Sequence, residues 1–106
     1  MVVFAIEKNT KHDSYVEALC EQISQGYDSL HTHVPIFSKK KRRVAEIDIM
    51  AVKGDMCDIF EVKCSFRIVK ARQQLAKIKK NIKRIGTSEV RYSFFYCGES
   101  GMLVNL

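Results

Sequence analysis

Glu46, Asp48, Glu61 and Lys63 fall at alternate positions of two segments, Val44–Val52 and Cys57–Cys64, that meet through Gly54 and Asp55. Residues two apart on a strand share a face, so this spacing gathers three carboxylates and an ammonium on one surface. A two-residue turn with glycine at its first central position closes an antiparallel pair. Pairing around it sets Asp48 opposite Glu61 and Glu46 opposite Lys63, with facing Cβ atoms about 4.5–5.5 Å apart. Facing carboxylates repel unless something positive lies between them. Magnesium takes oxygen ligands, usually one or two protein carboxylates, and leaves positions for water and phosphate. A lysine alongside can polarise that water or hold the phosphate. The chemistry indicated is metal-assisted attack of water on a phosphodiester; the plain alternative is a solvated strand face with a Glu46–Lys63 ion pair.

The charge around this face favours the first reading. The chain has 106 residues, a formal charge of +6 and a pI near 9.3. Lys39, Lys40, Lys41, Arg42 and Arg43 run unbroken before the first strand. Arg67, Lys70, Arg72, Lys77, Lys79, Lys80, Lys83 and Arg84 follow the second, with no acid between Ser65 and Ser88. Such patches neutralise phosphates and release counterions, giving salt-dependent and largely sequence-independent affinity for nucleic acid. Acids in the middle with bases on both sides suit metal carboxylates that face a polyanion. The first of these runs, together with Ser65, Arg67, Lys70 and Arg72 just past the second strand, forms the candidate DNA contact; a strand-end serine and a solvated basic face are the ordinary readings.

The elements that must position these residues follow from periodicity. Val2–Ile6 reads as a short edge strand. Val16, Leu19, Cys20 and Ile23 recur at helical spacing between about Lys11 and Gln25, with Ser14 and Glu17 as a capping box and Gly26 as the stop. Leu30–Phe37 reads as a strand that Pro35 assigns to an edge or a bulge, and the basic run makes a loop. Ile68, Ala71, Leu75, Ile78, Ile82 and Ile85 step by three and four toward Gly86, the pattern of an amphipathic helix with lysines outside. Val90–Cys97 and Met102–Val104 read as strands, the first with Tyr92, Phe94, Phe95 and Tyr96 largely buried. Strands and helices in this order predict an α/β fold, a mixed central sheet flanked by helices, in a single domain spanning residues 1–106.

No apolar run approaches the length of a membrane span, and the first residues lack the pattern of a signal peptide. The expectation is a cytoplasmic protein that does not enter membranes. Cys20, Cys57, Cys64 and Cys97 lie far apart without a C-x₂-C pair, so free buried thiols are expected rather than zinc ligands or disulfides. His31 and His33 form an isolated H-x-H, which carries little weight.

The run from Asp48 to Glu61-Val62-Lys63 resembles the PD-(D/E)xK signature of the restriction-endonuclease-like nucleases, with Ile47 where the proline of that name stands. Within the superfamily the chain is most similar to the archaeal-type Holliday junction resolvases. These share a glutamate on a first helix, an aspartate at a strand end, an E-V-K strand, a long helix and a further strand. The likeness spans about Lys11 to Cys97 and rests on a short motif placed on a hairpin. The Q-x₃-Y of the RecB-like branch does not fit, because Ile78 follows Gln74 and Lys77 follows Gln73. The resemblance implies a metal-dependent DNA endonuclease, structure-specific toward branched DNA and homodimeric. Its catalytic set would be Glu17, Asp48, Glu61 and Lys63, with Mg²⁺ or Mn²⁺ held by Asp48, Glu61 and the Val62 carbonyl. Glu17 has the alternative reading of a helix cap, and Glu46 that of an extra ligand or a partner of Lys63. Two other functions stay open: a catalytically silent nuclease-fold protein that binds nucleic acid, and a small basic RNA-binding or regulatory domain.

Overall fold

The structure, a computed structural model, describes residues 10–82, 84, 85 and 88–106. Helix α1 spans Lys11–Ile23 and continues as one 3₁₀ turn over Ser24–Gly26. Strands β1 (Ser29–Phe37), β2 (Arg43–Lys53) and β3 (Met56–Lys63) follow as an antiparallel meander. Helix α2 (Ile68–Asn81) then crosses to β4 (Arg84–Ile85) and β5 (Ser88–Cys97), and β6 (Met102–Asn105) closes the chain. The sheet order is β1-β2-β3-β5-β4, with β6 also on β5. Because β5 runs parallel to β3, the sheet is mixed, and α2 is the long crossover that a parallel pair requires. The expected α/β class, with helices on a mixed sheet, is what the chain forms. The segment Val2–Ile6, Lys83 and Gly86 lie outside the described residues.

The two helices cover opposite faces. Val16 and Leu19 of α1 pack with Ile49, Ala51, Phe60, Val62 and Tyr96. Leu75 and Ile78 of α2 pack with Ile36, Ala45, Ile47, Met50, Cys57 and Ile59. Strand β3 alternates strictly between these clusters. Strand β2 does not: Ala45 and Ile47 join the α2 cluster, whereas Ile49 and Ala51 join the α1 cluster. The faces therefore exchange at Asp48, which corrects the single alternation expected across Val44–Val52. Strand β1 exchanges with it. His33, opposite Asp48, has φ +54°, and the ladder omits this pair but keeps one register from Thr32↔Ile49 to Val34↔Ile47. A left-handed backbone without glycine costs about 1–2 kcal/mol, so packing on both faces must hold this break in place.

Two helix boundaries differ from the sequence reading. Thr10, not Ser14, caps α1: its Oγ1 accepts the Asp13 N–H at 3.1 Å, and Asp13 Oδ2 accepts the Thr10 N–H at 3.4 Å. Ser14 lies inside the helix and donates back to the Thr10 carbonyl at 3.2 Å. Helix α2 ends at Asn81 rather than near Gly86. Ile82 turns extended (φ −142°, ψ 144°) yet stays packed on the α2 cluster, and Arg84 and Ile85 pair with Glu89 and Ser88. A three-and-four apolar rhythm does not reveal where a sheet edge captures the chain. The hairpin is as expected. Gly54 takes φ +60°, and the Ile49↔Phe60 and Met50↔Ile59 pairs keep the register that the turn imposes. Edge strand β1 accommodates Pro35.

Candidate active site

Asp48 and Glu61 are both buried, 6% and 3% exposed. The β2–β3 ladder stops at Ile49↔Phe60, so Asp48 and Glu61 do not form a regular ladder pair. Instead, where β2 exchanges faces, the Asp48 side chain reaches across to β3 and its Oδ2 accepts the Val62 N–H at 2.8 Å. Burial raises the Asp48 pKa above the usual carboxylate range, although the Val62 N–H, His12 and Lys63 work against it. Glu61 is pushed up to about 7, by burial first and then by the Asp48 charge. Lys63 Nζ stands 3.1 Å from Glu61 Oε2. Glu61 Oε1 is buried and finds no hydrogen-bond partner among the described residues. Two carboxylates and one ammonium thus meet at the end of β3 with an acceptor oxygen left over.

This corner is pinned from the β5 side. Gly98 donates its N–H to the Lys63 carbonyl at 2.8 Å, and Glu99 donates to that of Cys64 at 2.9 Å. Gly98 also lies under the Tyr15 ring of α1: a Cβ there would stand 2.2 Å from ring carbon Cδ2. Only glycine lets α1 approach so closely, and that approach sets the depth of the first turn of α1 beside the carboxylates.

The first turn brings His12, which the sequence reading missed. His12 Nε2 lies 3.0 Å from the Val62 carbonyl oxygen and 3.5 Å from Asp48 Oδ2. Because the carbonyl only accepts, Nε2 carries the proton. His12 stands four residues before Val16 and seven before Leu19, so it extends the inward stripe of α1; a polar residue on that stripe was the available signal. A chain of polar side chains leads outward from it. Asp13 Oδ1 is 3.8 Å from His12 Nδ1 and 3.6 Å from His33 Nε2, and His33 Nδ1 is 3.1 Å from Glu46 Oε2. Glu46 is also paired with Arg43.

The expected residues divide accordingly. Asp48, Glu61 and Lys63 come together. Glu46 does not meet Lys63; the ladder ends before that pair can form, and Arg43 and His33 take the carboxylate instead. Glu17 is exposed on the outer face of α1, beside Ser14 and Glu21 along an open groove. The inner stripe of α1 runs through Val16 and Leu19, and Glu17 lies off it. The Val62 carbonyl is in place but engaged by His12. Ser65 is half-buried and its carbonyl accepts the Arg67 N–H at 2.8 Å. Arg67, Lys70, Arg72 and the Lys39–Arg43 run are exposed.

Among the described residues, no group of three or more His, Cys, Asp or Glu is arranged to hold a metal ion. The two carboxylates fit a hard cation on narrower grounds. Magnesium commonly takes only one or two protein carboxylates, and the Glu61 oxygen without a partner is an available donor.

A second buried acid, Asp58, was also missed. At 1% exposed it accepts from Tyr27 Oη (2.6 Å), Arg91 Nε (3.1 Å), Arg91 Nη2 (2.9 Å) and the Tyr92 N–H (3.1 Å). The β3–β5 register shifts beside it; Tyr92 is 48% exposed, while Phe95 and Tyr96 are buried and Phe94 half-buried. All four cysteines are free, Cys57 and Cys97 buried and Cys20 and Cys64 half-buried. No helix among the described residues is long and apolar enough to cross a membrane. A comparison with protein-family models gives no match for this chain, and a comparison with curated proteins gives none either.

Proposed function

We propose that this chain is a metal-dependent DNA endonuclease of the restriction-endonuclease-like kind that hydrolyses phosphodiester bonds through Asp48, Glu61 and Lys63. The observation that carries the reading is the unbalanced acid pair: two buried, mutually repelling carboxylates, one with an oxygen that has no partner, beside a single ammonium. Asp48 and Glu61 would hold Mg²⁺ or Mn²⁺. Such an ion, when bound, lowers the pKa of water and offsets charge on the scissile phosphate. Lys63 screens Glu61 and presents its remaining donors to a phosphate oxygen or to the attacking water. His12 fixes the Val62 carbonyl and, with the Val62 N–H, holds the Asp48 carboxylate in one orientation. The exposed lysines and arginines on the β1–β2 turn and on α2 supply the electrostatic attraction for DNA. Junction specificity and a homodimeric state follow from the resemblance and belong to the same proposal.

The test is incubation with four-way junction, flap, duplex and single-stranded DNA, with and without Mg²⁺. Cleavage should require the ion. Asp48→Ala and Lys63→Ala should abolish it while DNA binding survives; equal loss of binding in both would assign the residues to folding.

One observation favours a second reading, a nuclease-fold protein that binds nucleic acid without cutting. His12 occupies the Val62 carbonyl and Asp48 Oδ2 is already bonded. That reading predicts salt-sensitive DNA binding, no strand scission with either ion, and no change in binding on adding Mg²⁺.

A further inference from the structure

Strands β1 and β2 continue as a two-stranded ribbon beyond the point where β2 leaves β3. The β2–β3 ladder ends at Ile49↔Phe60, whereas β1 and β2 stay paired from Val34↔Ile47 to Phe37↔Arg43. One face of the ribbon is anchored, because Ile36, Ala45 and Ile47 pack in one cluster with Leu75 and Ile78 of α2. The tip is braced by hydrogen bonds from the Ser38 N–H to the Arg42 carbonyl at 2.8 Å and from the Lys41 N–H to the Ser38 carbonyl at 2.9 Å. Arg43 is neutralised by Glu46. Lys39, Lys40, Lys41 and Arg42 are exposed and make no ion pair among the described residues. Beside them Phe37 is 53% exposed at the last ladder pair. An anchored, braced strand pair that ends in four free cations and an exposed ring is suited to a polyanion carrying flat aromatic groups.

The ribbon also sets a distance. Asp48 and Arg43 belong to the same strand, five residues apart, or roughly 16 Å at about 3.3 Å per residue. At 3.4 Å of rise per step of a duplex, this spans about five base pairs. Resting on the nuclease reading above, we propose that the β1–β2 ribbon is a ruler for branched DNA. Its basic turn would grip the backbone of a duplex about five base pairs from the bond cut at Asp48 and Glu61. Phe37 would stack there on a base exposed by a break in the helix.

The test uses the full chain and a four-way junction with each arm end-labelled, with cuts mapped on a denaturing gel in Mg²⁺. The wild type should cut at a fixed offset of about five nucleotides from the branch point. Phe37→Ala should lose the fixed offset and bind the junction about tenfold more weakly, as expected for one stacked base, while Phe37→Trp keeps both. Changing Lys39, Lys40, Lys41 and Arg42 together to Ser should flatten the log–log salt dependence by up to about 3.6. All five residues are exposed, and unchanged thermal midpoints would show that the variants fold. Cuts scattered without reference to the branch, or a Phe37→Ala protein with wild-type offset and affinity, would overturn the ruler. If no DNA is cut, the nuclease reading fails and the ribbon is judged by anisotropy alone. A wild-type preference for junction over intact duplex that disappears in Phe37→Ala then supports it, and equal affinities overturn it.

Discussion

Replacing Glu61 by glutamine should separate what this residue costs the fold from what it gives the site. Its pKa lies at about 7 in the folded chain, against 4.5 for an unperturbed glutamate. Between these values the unfolded chain has released the proton and the folded chain still holds it, so wild-type stability falls as pH rises across that window. At 1.36 kcal/mol per unit, the fall is on the order of 3 kcal/mol, complete above pH ~7 and absent below pH ~4.5. Glutamine does not titrate, so Glu61→Gln should lack this slope. The amide also gives up the ion pair with Lys63 for a neutral hydrogen bond and leaves a buried polar group under-bonded, at a cost of about 1–2 kcal/mol. The variant should then be slightly less stable than the wild type at pH 4.5 and more stable by about 1–2 kcal/mol at pH 8, a shift of roughly 5–10 °C for a domain of this size. Urea unfolding at half-unit pH steps gives the curves, and their difference cancels the groups that do not interact with Glu61. Adding 5–10 mM Mg²⁺ at pH 8 should raise the wild-type midpoint far more than that of the variant, because ligand binding to the native state alone stabilises it. Parallel pH curves would show that Glu61 is not a proton-holding buried acid. Equal Mg²⁺ shifts would remove it from the cation site.

Asp58 should behave in the opposite way. Burial alone would raise its pKa, but Arg91, Tyr27 and the Tyr92 N–H outweigh burial and hold it below the usual range. Its stabilising contribution is complete above the unfolded pKa near 3.9 and is lost as pH falls through the lower folded value. Asp58→Asn should therefore move acid unfolding to higher pH. It should also cost about 2 kcal/mol at pH 7, less than the 3–5 kcal/mol of a fully enclosed pair, since Arg91 is 36% exposed. Gly98→Ala should force Tyr15 aside and destabilise the chain by about 1–3 kcal/mol, the usual range for overpacking. Pairing it with Tyr15→Ala should give a smaller loss than the two single changes added together, as read from chemical denaturation. If cleavage depends on the placement of His12, Gly98→Ala should reduce it even at temperatures where the variant is fully folded.

The hairpin, α1 and the inner face of α2 were legible because each rests on local rules, namely a glycine-first turn, alternation, and apolar steps of three and four. The turn register also pointed to the nearness of Asp48, Glu61 and Lys63, although Asp48 reaches β3 through the exchange of faces and not as a ladder pair. What escaped depends on contacts between distant segments. The exchange of faces at Asp48 needs His33 on β1 to break with it, and nothing near Asp48 signals this. Counting strand positions placed Glu46 with Lys63, yet the strands have parted before that pair and a nearer arginine takes the carboxylate. Glu17 is implied by the family resemblance, as an acid on the first helix; the face of α1 that turns inward, decided by Val16 and Leu19, carries His12 instead.

Strand β3 holds two acids three residues apart whose circumstances differ in a telling way. Asp58 is 1% exposed, and it accepts four hydrogen bonds, one of its donors an arginine. That is how a fold retains a carboxylate for structure, and its pKa is lowered as a result. Glu61 is buried to nearly the same degree, but it has one lysine, a carboxylate neighbour that repels it and an oxygen with no partner. A leucine or glutamine at that place would relieve the fold of an unfavourable charge. The same chain can surround an acid with donors, as Asp58 proves, so the shortage at Glu61 is local to that corner. It coincides with the left-handed His33, the exchange of faces at Asp48 and the glycine under Tyr15, each an unfavourable or demanding feature by itself. Strain and raised pKa values gather where a protein does chemistry. Their convergence on one end of β3, rather than any single acid, is what supports the proposal that this corner is an active site.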